Sequence, residues 1–272
     1  MACIICSNEM KLFSVNSNLD MSVFYCDTCN HYVTGNSEKE VSNKLVKLYS
    51  GQYWDERKAK DSIESNYTDA DSLGKQRNWI SQYAYCKQFF KNKKSILEIG
   101  VGGGQASFWF EKEGFDVCGI EPDARNVNLI NKKLARGTVT QSFIEDINLE
   151  EKFDIIWMSH VFEHLIKPDI FLKKIKNNLK PDGIFFIEVP SCEHQPTLKS
   201  SIFENPHVHH FSKKSLLKLV EKEFDVISCD CFRPATKIEG IKQKFFHSFQ
   251  YYPRIKSSCV EGRDLRVILK QK

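Results

Sequence analysis

No apolar run in this chain approaches the roughly 18 residues that a membrane-spanning helix needs. Its opening, MACIICSNEMK, has neither a basic leader nor an apolar core, which predicts no signal peptide. A surplus of charge is missing too. The formal net charge is only +4, with Lys and Arg interspersed among Asp and Glu, so the charge density of an obligate nucleic-acid binder is absent. No internal repeat is apparent.

Cysteine, by contrast, is abundant, with ten in 272 residues. In a short secreted chain that number implies disulfides. At this length, and with no export signal, thiols in a reducing compartment, some of them metal-bound, are expected. The reading is therefore a cytoplasmic protein with one full-size domain plus something small. A hydrophobic fraction of 41% suffices for a sizeable core.

Four of the cysteines are paired in spacing. Cys3-x-x-Cys6 and Cys26-x-x-Cys29 flank residues 7 to 25, which fits a four-thiolate zinc site built on two turns. Leu12 to Val15 and Val23 to Tyr25 read as short strands of a zinc ribbon. A segment of about 35 residues buries too little apolar surface to fold without such a staple. With all four ligands supplied by protein the site is structural; the alternative is four unrelated buried thiols. His31 follows the second pair and reads as a bystander.

Residues 38 to 60 are helical in character, with an apolar stripe of Val41, Leu45, Val46, Leu48 and Tyr49. Residues 55 to 74 are charged and weakly patterned, which reads as a linker or lid. A helix over about 75 to 91 carries Trp79, Ile80, Tyr83, Ala84, Phe89 and Phe90. From 95 onward strands are expected near 95–99, 116–120, 138–141, 153–158, 183–189, 225–232 and 264–270. Helices are expected near 104–113, 123–134, 169–179 and 212–222. Such alternation means a doubly wound α/β sheet, seven-stranded and mostly parallel, with ligands across the carboxyl ends of its strands. The expected division is a zinc ribbon at 1–36, a helical linker or lid at 37–94, and the α/β domain at 95–272, with 232–262 inserted before the last strand.

Within that frame, residues 96 to 104 (ILEIGVGGG) are the most informative stretch. An apolar strand carrying Glu98 runs into a turn with glycine at 100, 102 and 104, then into a helix. Glycine lets the backbone take φ > 0 and approach a ligand closely, and the helix presents free N–H groups and a positive dipole end. Glu121 ends the second strand, where a carboxylate can accept both ribose hydroxyls. Asp146-Ile147 follows the third strand, and Ser159-His160 ends the fourth. A dehydrogenase would place its third glycine further along, as G-x-G-x-x-G.

In order and spacing, residues 75 to 232 resemble the class I S-adenosylmethionine-dependent methyltransferases, a Rossmann-like family. The resemblance implies that Glu98 and the glycines at 100, 102 and 104 hold the methionine part of the cofactor, that Glu121 binds the ribose, and that Asp146 and Ile147 flank adenine. Ser159 and His160 join this cofactor set. Arg77 matches an arginine that often meets the cofactor carboxylate, though a surface ion pair is the other reading.

Methyl transfer from a sulfonium is an in-line displacement, so the enzyme chiefly aligns donor and acceptor. An alcohol acceptor must also lose a proton, and histidine is the usual base. His164 in Glu163-His164-Leu165, and His207 and His210 in Pro206-His207-Val208-His209-His210-Phe211-Ser212, are the candidates, with His207 preferred. Ser212 reads as the N-cap of the following helix. The histidines at 207, 209 and 210 could instead bind a metal, but their spacing specifies no geometry.

A four-cysteine module before such a domain, with Glu-His-Leu and a later histidine-rich segment ending in Phe-Ser, looks like sugar methyltransferases acting on nucleotide-linked or polysaccharide-bound sugars. In zinc-containing carbon-methylating relatives that segment reads His-Glu-His-Leu-x-Tyr-Phe-Ser. Here Pro206 replaces the glutamate before His207 and His210 replaces the tyrosine, which favours O-methylation of a sugar hydroxyl. The competing enzyme reading is a zinc-ribbon RNA methyltransferase. Residues 233 to 256 interleave Arg233, Lys237, Lys242, Lys244, Arg254 and Lys256 with Phe245, Phe246, Phe249, Tyr251 and Tyr252, which suits phosphate contact and base stacking. The same stretch also reads as a pocket cap or a homodimer contact. A cofactor-binding adaptor without turnover is the non-enzymatic alternative.

Overall fold

Short apolar strands punctuated by cysteine turns open the chain. They are β1 (Lys11–Asn16), β2 (Met21–Cys26) and β3 (His31–Thr34), followed by α1 (Glu38–Lys47), α2 (Ala59–Asp69) and α3 (Asn78–Cys86). The computed structural model describes residues 1–16, 21–35, 37–49, 59–69, 78–147, 149–203, 206–246 and 254–272. From Ser95 the expected alternation is present as β4 (Ser95–Ile99), α4 (Gln105–Lys112), β5 (Asp116–Glu121), α5 (Ala124–Asn131), β6 (Thr138–Gln141) and β7 (Phe153–Ser159). It continues as α6 (Pro168–Ile175), β8 (Leu179–Pro190), α7 (Gln195–Phe203), β9 (His209–Phe211) and α8 (Lys213–Val220). The last elements are β10 (Phe224–Pro234), α9 (Lys237–Phe246), β11 (Arg254–Ser257) and β12 (Asp264–Gln271).

The main sheet has eight strands in the order β11-β10-β12-β8-β7-β4-β5-β6. The β4–β5 and β5–β6 pairs are parallel, while β12 runs antiparallel between β8 and β10. This is the expected α/β architecture with one strand more. The eighth strand, β11, is a four-residue edge piece too short to show a period.

The chain divides into two compact units, one of residues 1–46, 158–232 and 256–272, the other of 47–157 and 233–255. The second unit is built on apolar packing. Phe90, Phe110, Phe115 and Trp157 meet ring to ring, with Phe110 and Trp157 centroids 5.0 Å apart. A neighbouring cluster joins Ile63, Val101, Phe108, Val127, Ile130, Leu134 and Val139. Ile63 lies on α2, where the sequence reading has only a linker or lid. It is the only fully buried side chain described on α2, so the stripe that announces an amphipathic helix is missing.

In the first unit a separate four-stranded sheet runs β1-β2-β3-β9. Its fourth strand comes from the histidine-rich segment, with His31 opposite Phe211, Tyr32 opposite His210 and Val33 opposite His209. The cysteine strands thus share one sheet with a strand from far along the chain. Val23, Cys192, Leu198 and Ile202 pack beneath it. Ser212 caps α8 with a reciprocal capping box to Ser215, as its position predicts.

Candidate active site

In the second unit the chain leaves β4 and must turn sharply into α4. Gly100, Gly102 and Gly104 all take positive φ (73°, 57° and 78°), the region that favours glycine. Gly104 is also the N-cap of α4. A Cβ on Gly103 would come within 2.7 Å of Asn66 Nδ2. That amide on α2 donates to the Gly103 carbonyl at 2.9 Å. Asn66 was not legible as a site residue, because nothing in its surroundings marks it.

Glu121, at the end of β5, accepts from the Gly102 amide at 2.8 Å and the Asp123 amide at 3.2 Å. Its carboxylate therefore braces the loop. Glu98 is buried and accepts a short hydrogen bond from the Ser107 hydroxyl on α4. Burial pushes the Glu98 carboxyl up to about 8, helped by the Glu121 charge and opposed by the Ser107 bonds. Asp146 is exposed at the end of the 3-10 turn Ile144–Asp146, and Ile147 beside it is buried. The loop, Glu98 and Glu121 thus converge, with Asp146 and Ile147 after the adjoining β6. Arg77 lies outside the described residues.

The first unit holds the histidines. His160 follows β7 with φ 55°, held by its amide donating to the Glu188 carbonyl at 2.9 Å. Its Nε2 lies 3.1 Å from Glu188 Oε1 and its Nδ1 3.5 Å from Glu163 Oε1. Loss of hydration opposes the imidazolium, although the ring is partly exposed, and the two carboxylates overcome that cost, holding its pKa well above the ordinary value. Glu188 is bound in turn by the fully buried Arg266. Against the cost of burial, Arg266 and His160 hold that carboxyl well below the usual range. Ser159 reaches the same carboxylate at 3.5 Å.

Around Glu163 the three candidate bases meet. His207 Nε2 is 3.8 Å from Glu163 Oε1, and the His164 and His207 rings are 4.7 Å apart. The Ser201 hydroxyl on α7 contacts His207 Nδ1 and His210 Nδ1, both at 2.7 Å. His210 Nε2 is bonded to the Thr34 hydroxyl on β3 at 2.9 Å. Burial pulls His210 down to about 3 and His209 down to about 4. Both ring nitrogens of His210 are thus engaged, one of them on the Ser201 hydroxyl that also contacts His207. His209 stacks on His31, which is fully buried. Glu188, Ser201 and Arg266 escaped sequence reading as members of this group; Glu163 was marked only by its place in Glu-His-Leu.

The cysteine turns converge in the same unit. One sulfur from each of Cys3, Cys6, Cys26 and Cys29 lies within 4.8 Å of the others, with Cys6 and Cys26 3.6 Å apart. Among the described residues no disulfide forms. Burial pushes the Cys3 thiol up to about 11, whereas the Asn8 amide and the other thiols overcome burial at Cys6 and bring it down to about 7. Four converging sulfurs, three of them buried, suit a tetrahedral thiolate metal site.

A family model described as a methyltransferase domain matches residues 73–228. The chain belongs to that methyltransferase family. Curated relatives include ubiquinone biosynthesis O-methyltransferases from Nitrobacter winogradskyi, 29% identical over 113 residues, and Actinobacillus pleuropneumoniae, 32% identical over 103. These matches cover 37% and 34% of this chain, and 43% and 44% of the relatives. The chain thus spans less than half the length of the curated relatives it matches. Among solved structures, the plantazolicin methyltransferase BpumL in complex with SAH aligns with TM-score 0.56 at 16% identity, over 86% of this chain and 99% of that one. A SAM-dependent methyltransferase from Archaeoglobus fulgidus aligns with TM-score 0.54 at 17% identity, over 71% and 93%.

Membership of the methyltransferase family makes S-adenosylmethionine the cofactor. The stretch from 233 to 256 is less basic in effect than its sequence. Arg233 is forked onto Glu239 at 2.8 and 2.9 Å, and Lys256 pairs with Asp230 at 2.7 Å. Phe249, Tyr251 and Tyr252 lie outside the described residues. Among the described residues no helix is long and apolar enough to cross a membrane.

Proposed function

We propose that the protein is an S-adenosylmethionine-dependent O-methyltransferase acting on a sugar hydroxyl, in a nucleotide sugar or a surface glycan, with a structural zinc on its four cysteines. The observation that carries this reading is the sheet shared by the cysteine module and the histidine strand, through the β3–β9 pairing. The two motifs that resemble sugar methyltransferases form one structural unit, which is what a module shaping an acceptor site requires. O-transfer also agrees with the names of the curated relatives.

In this reading the loop from Gly100 to Gly104 gives the donor close backbone approach, Glu98 serves its methionine end and Glu121 its ribose. The acceptor hydroxyl must lose a proton as oxygen attacks the methyl carbon and the sulfonium departs as a thioether. His207 is the residue for that proton, oriented by Ser201 at 2.7 Å and backed by Glu163 at 3.8 Å. Replacing His207 by Ala should lower turnover by about 10²- to 10⁴-fold and leave cofactor affinity unchanged.

A second reading is an acceptor of ubiquinone biosynthesis, favoured by the names of the curated relatives. The deciding experiment is mass spectrometry after incubation with methyl-labelled cofactor and three acceptor panels: nucleotide-activated sugars, ubiquinone precursors and total RNA. Label on a sugar is expected. Label confined to quinone precursors or to RNA would replace this acceptor class.

A further inference from the structure

Glu163 has a carboxylate that its surroundings do not satisfy. It sits in the 3-10 turn Phe162–His164, is 1% exposed, and neither carboxylate oxygen has a hydrogen-bond partner. A buried carboxylate without hydrogen-bond donors is costly; the His160 imidazolium 3.5 Å from Oε1 offsets part of that cost, and a further cation would offset more. Among the described residues its ion-pair neighbours are imidazoles, His160 Nδ1 at 3.5 Å and His207 Nε2 at 3.8 Å.

The neighbouring rings are arranged as metal ligands are. His164 Nδ1 is bonded to the Pro206 carbonyl at 3.1 Å, and His207 Nδ1 to the Ser201 hydroxyl at 2.7 Å. A carbonyl only accepts, so His164 must place its proton on Nδ1, which leaves Nε2 with a lone pair. The Ser201 hydroxyl has one proton and faces two Nδ1 atoms, so it accepts from at least one ring. If that ring is His207, its Nε2 lone pair confronts the carboxylate. Such confrontation is repulsive without a cation between. Metal-bound histidines characteristically hold their second nitrogen on a carbonyl, carboxylate or water in this way.

The distances agree. One ligand atom from each of Glu163, His164 and His207 lies within 4.8 Å of the others. Ligands about 2.1 Å from a common metal stand about 3 to 4 Å apart. We infer that Glu163, His164 and His207 form a second metal site, separate from the cysteines, for a divalent first-row cation. Two imidazoles and one carboxylate leave coordination positions open, and they favour Mn²⁺, Fe²⁺ or Zn²⁺ over the alkaline earths.

This rests on the proposed O-methyl transfer for its purpose and revises the role given there to His207. A cation at this site would bind the acceptor oxygen and lower the pKa of its hydroxyl. His207 would serve as a ligand in place of a base, and the released proton would pass to solvent. The site itself can be tested without turnover. The full chain, loaded with zinc at the cysteines, is titrated with Mn²⁺ and read by electron paramagnetic resonance, because thiolates disfavour Mn²⁺. Saturable binding of roughly one Mn²⁺ per chain is expected. Glu163→Gln should weaken it more than 100-fold, and Ser201→Ala, which frees a ligand ring, about 10- to 100-fold, with cysteine-bound zinc unchanged in both. Absence of saturable Mn²⁺ binding by the wild type, or equal affinity in Glu163→Gln, would overturn the site. Neither result depends on the acceptor, so failure of the sugar reading is seen separately, in the labelling experiment.

Discussion

The two units bury different chemistry. In the glycine-loop unit the centre is aromatic and aliphatic, and the residues that matter lie close in sequence: Glu98, the loop and Ser107 follow one another along a single strand–turn–helix. The cysteine–histidine unit buries a polar cluster beside its own apolar core. His31, Thr34, Glu188, Ser201, His210 and Arg266 are all buried there, and their partners come from segments far apart in the chain. Apolar burial tolerates imprecision, because its energy follows area. A buried polar group needs its partner at the right distance, and the cost of losing that partner falls on the group left behind. The second kind of core is therefore expected to fail abruptly, the first by degrees.

The largest effect should come from the element that anchors the polar unit. Cys26→Ser removes one thiolate from the four-sulfur site, and structural zinc typically contributes on the order of 10 kcal/mol to folding at neutral pH. The protein should lose zinc, and amide protection should vanish from β1, β2, β3 and β9 together, since β9 is paired to β3. Metal analysis with hydrogen exchange checks this. Exchange confined to residues 1–34 would show that the histidine strand stands without the cysteines.

Next comes the ion pair. Arg266→Leu leaves the fully buried Glu188 carboxylate with His160 and Ser159 but without its arginine, and should cost about 3–5 kcal/mol in urea unfolding. Replacing both residues by apolar ones should recover much of that loss, because only His160, which can release its proton, then loses a partner. A single variant costing less than about 1 kcal/mol would break the contrast between the two cores. In the apolar unit the corresponding change is gentler. Gly104→Ala forces φ 78° on a residue with a Cβ, and that atom would approach the Phe108 ring to 2.7 Å. The ring can give way, so about 1–3 kcal/mol is expected, with weaker cofactor binding measured by calorimetry.

The same contrast explains what the sequence made legible. Strand and helix alternation from Ser95 was readable because each element advertises its own period, and Ser212 was readable as a cap because capping is local. The loop from Gly100 to Gly104 was readable because its chemistry is contiguous. The β3–β9 pairing was not, since three residues, His209 to Phe211, carry no strand pattern and their partner lies far upstream. Arg266 in β12 gave no sign of pairing with Glu188 in β8, because both sit in apolar runs where a lone charge reads as an exception. Asn66 was hidden for another reason: α2 has Ile63 as its single buried anchor among the described side chains, and no stripe for Asn66 to interrupt.

The last predicted effect, read as a pH dependence and not as a single loss, tests whether any polar burden exists in the apolar unit. Burial holds the Glu98 carboxyl at about 8 in the folded protein, against 4.5 for an ordinary glutamate. Between those values the folded state keeps a proton that the unfolded state has released, so raising the pH favours unfolding. The stability that Glu98 contributes is full below pH 4.5 and declines until the pH passes about 8. Glu98→Gln keeps a neutral side chain for Ser107 and removes that titration. Its urea midpoint should therefore fall less than that of the wild type as the pH rises from 4.5 to about 8, while the two converge toward pH 4.5. Parallel profiles would mean that Glu98 titrates as an ordinary glutamate and adds no pH dependence to the stability of the glycine-loop unit.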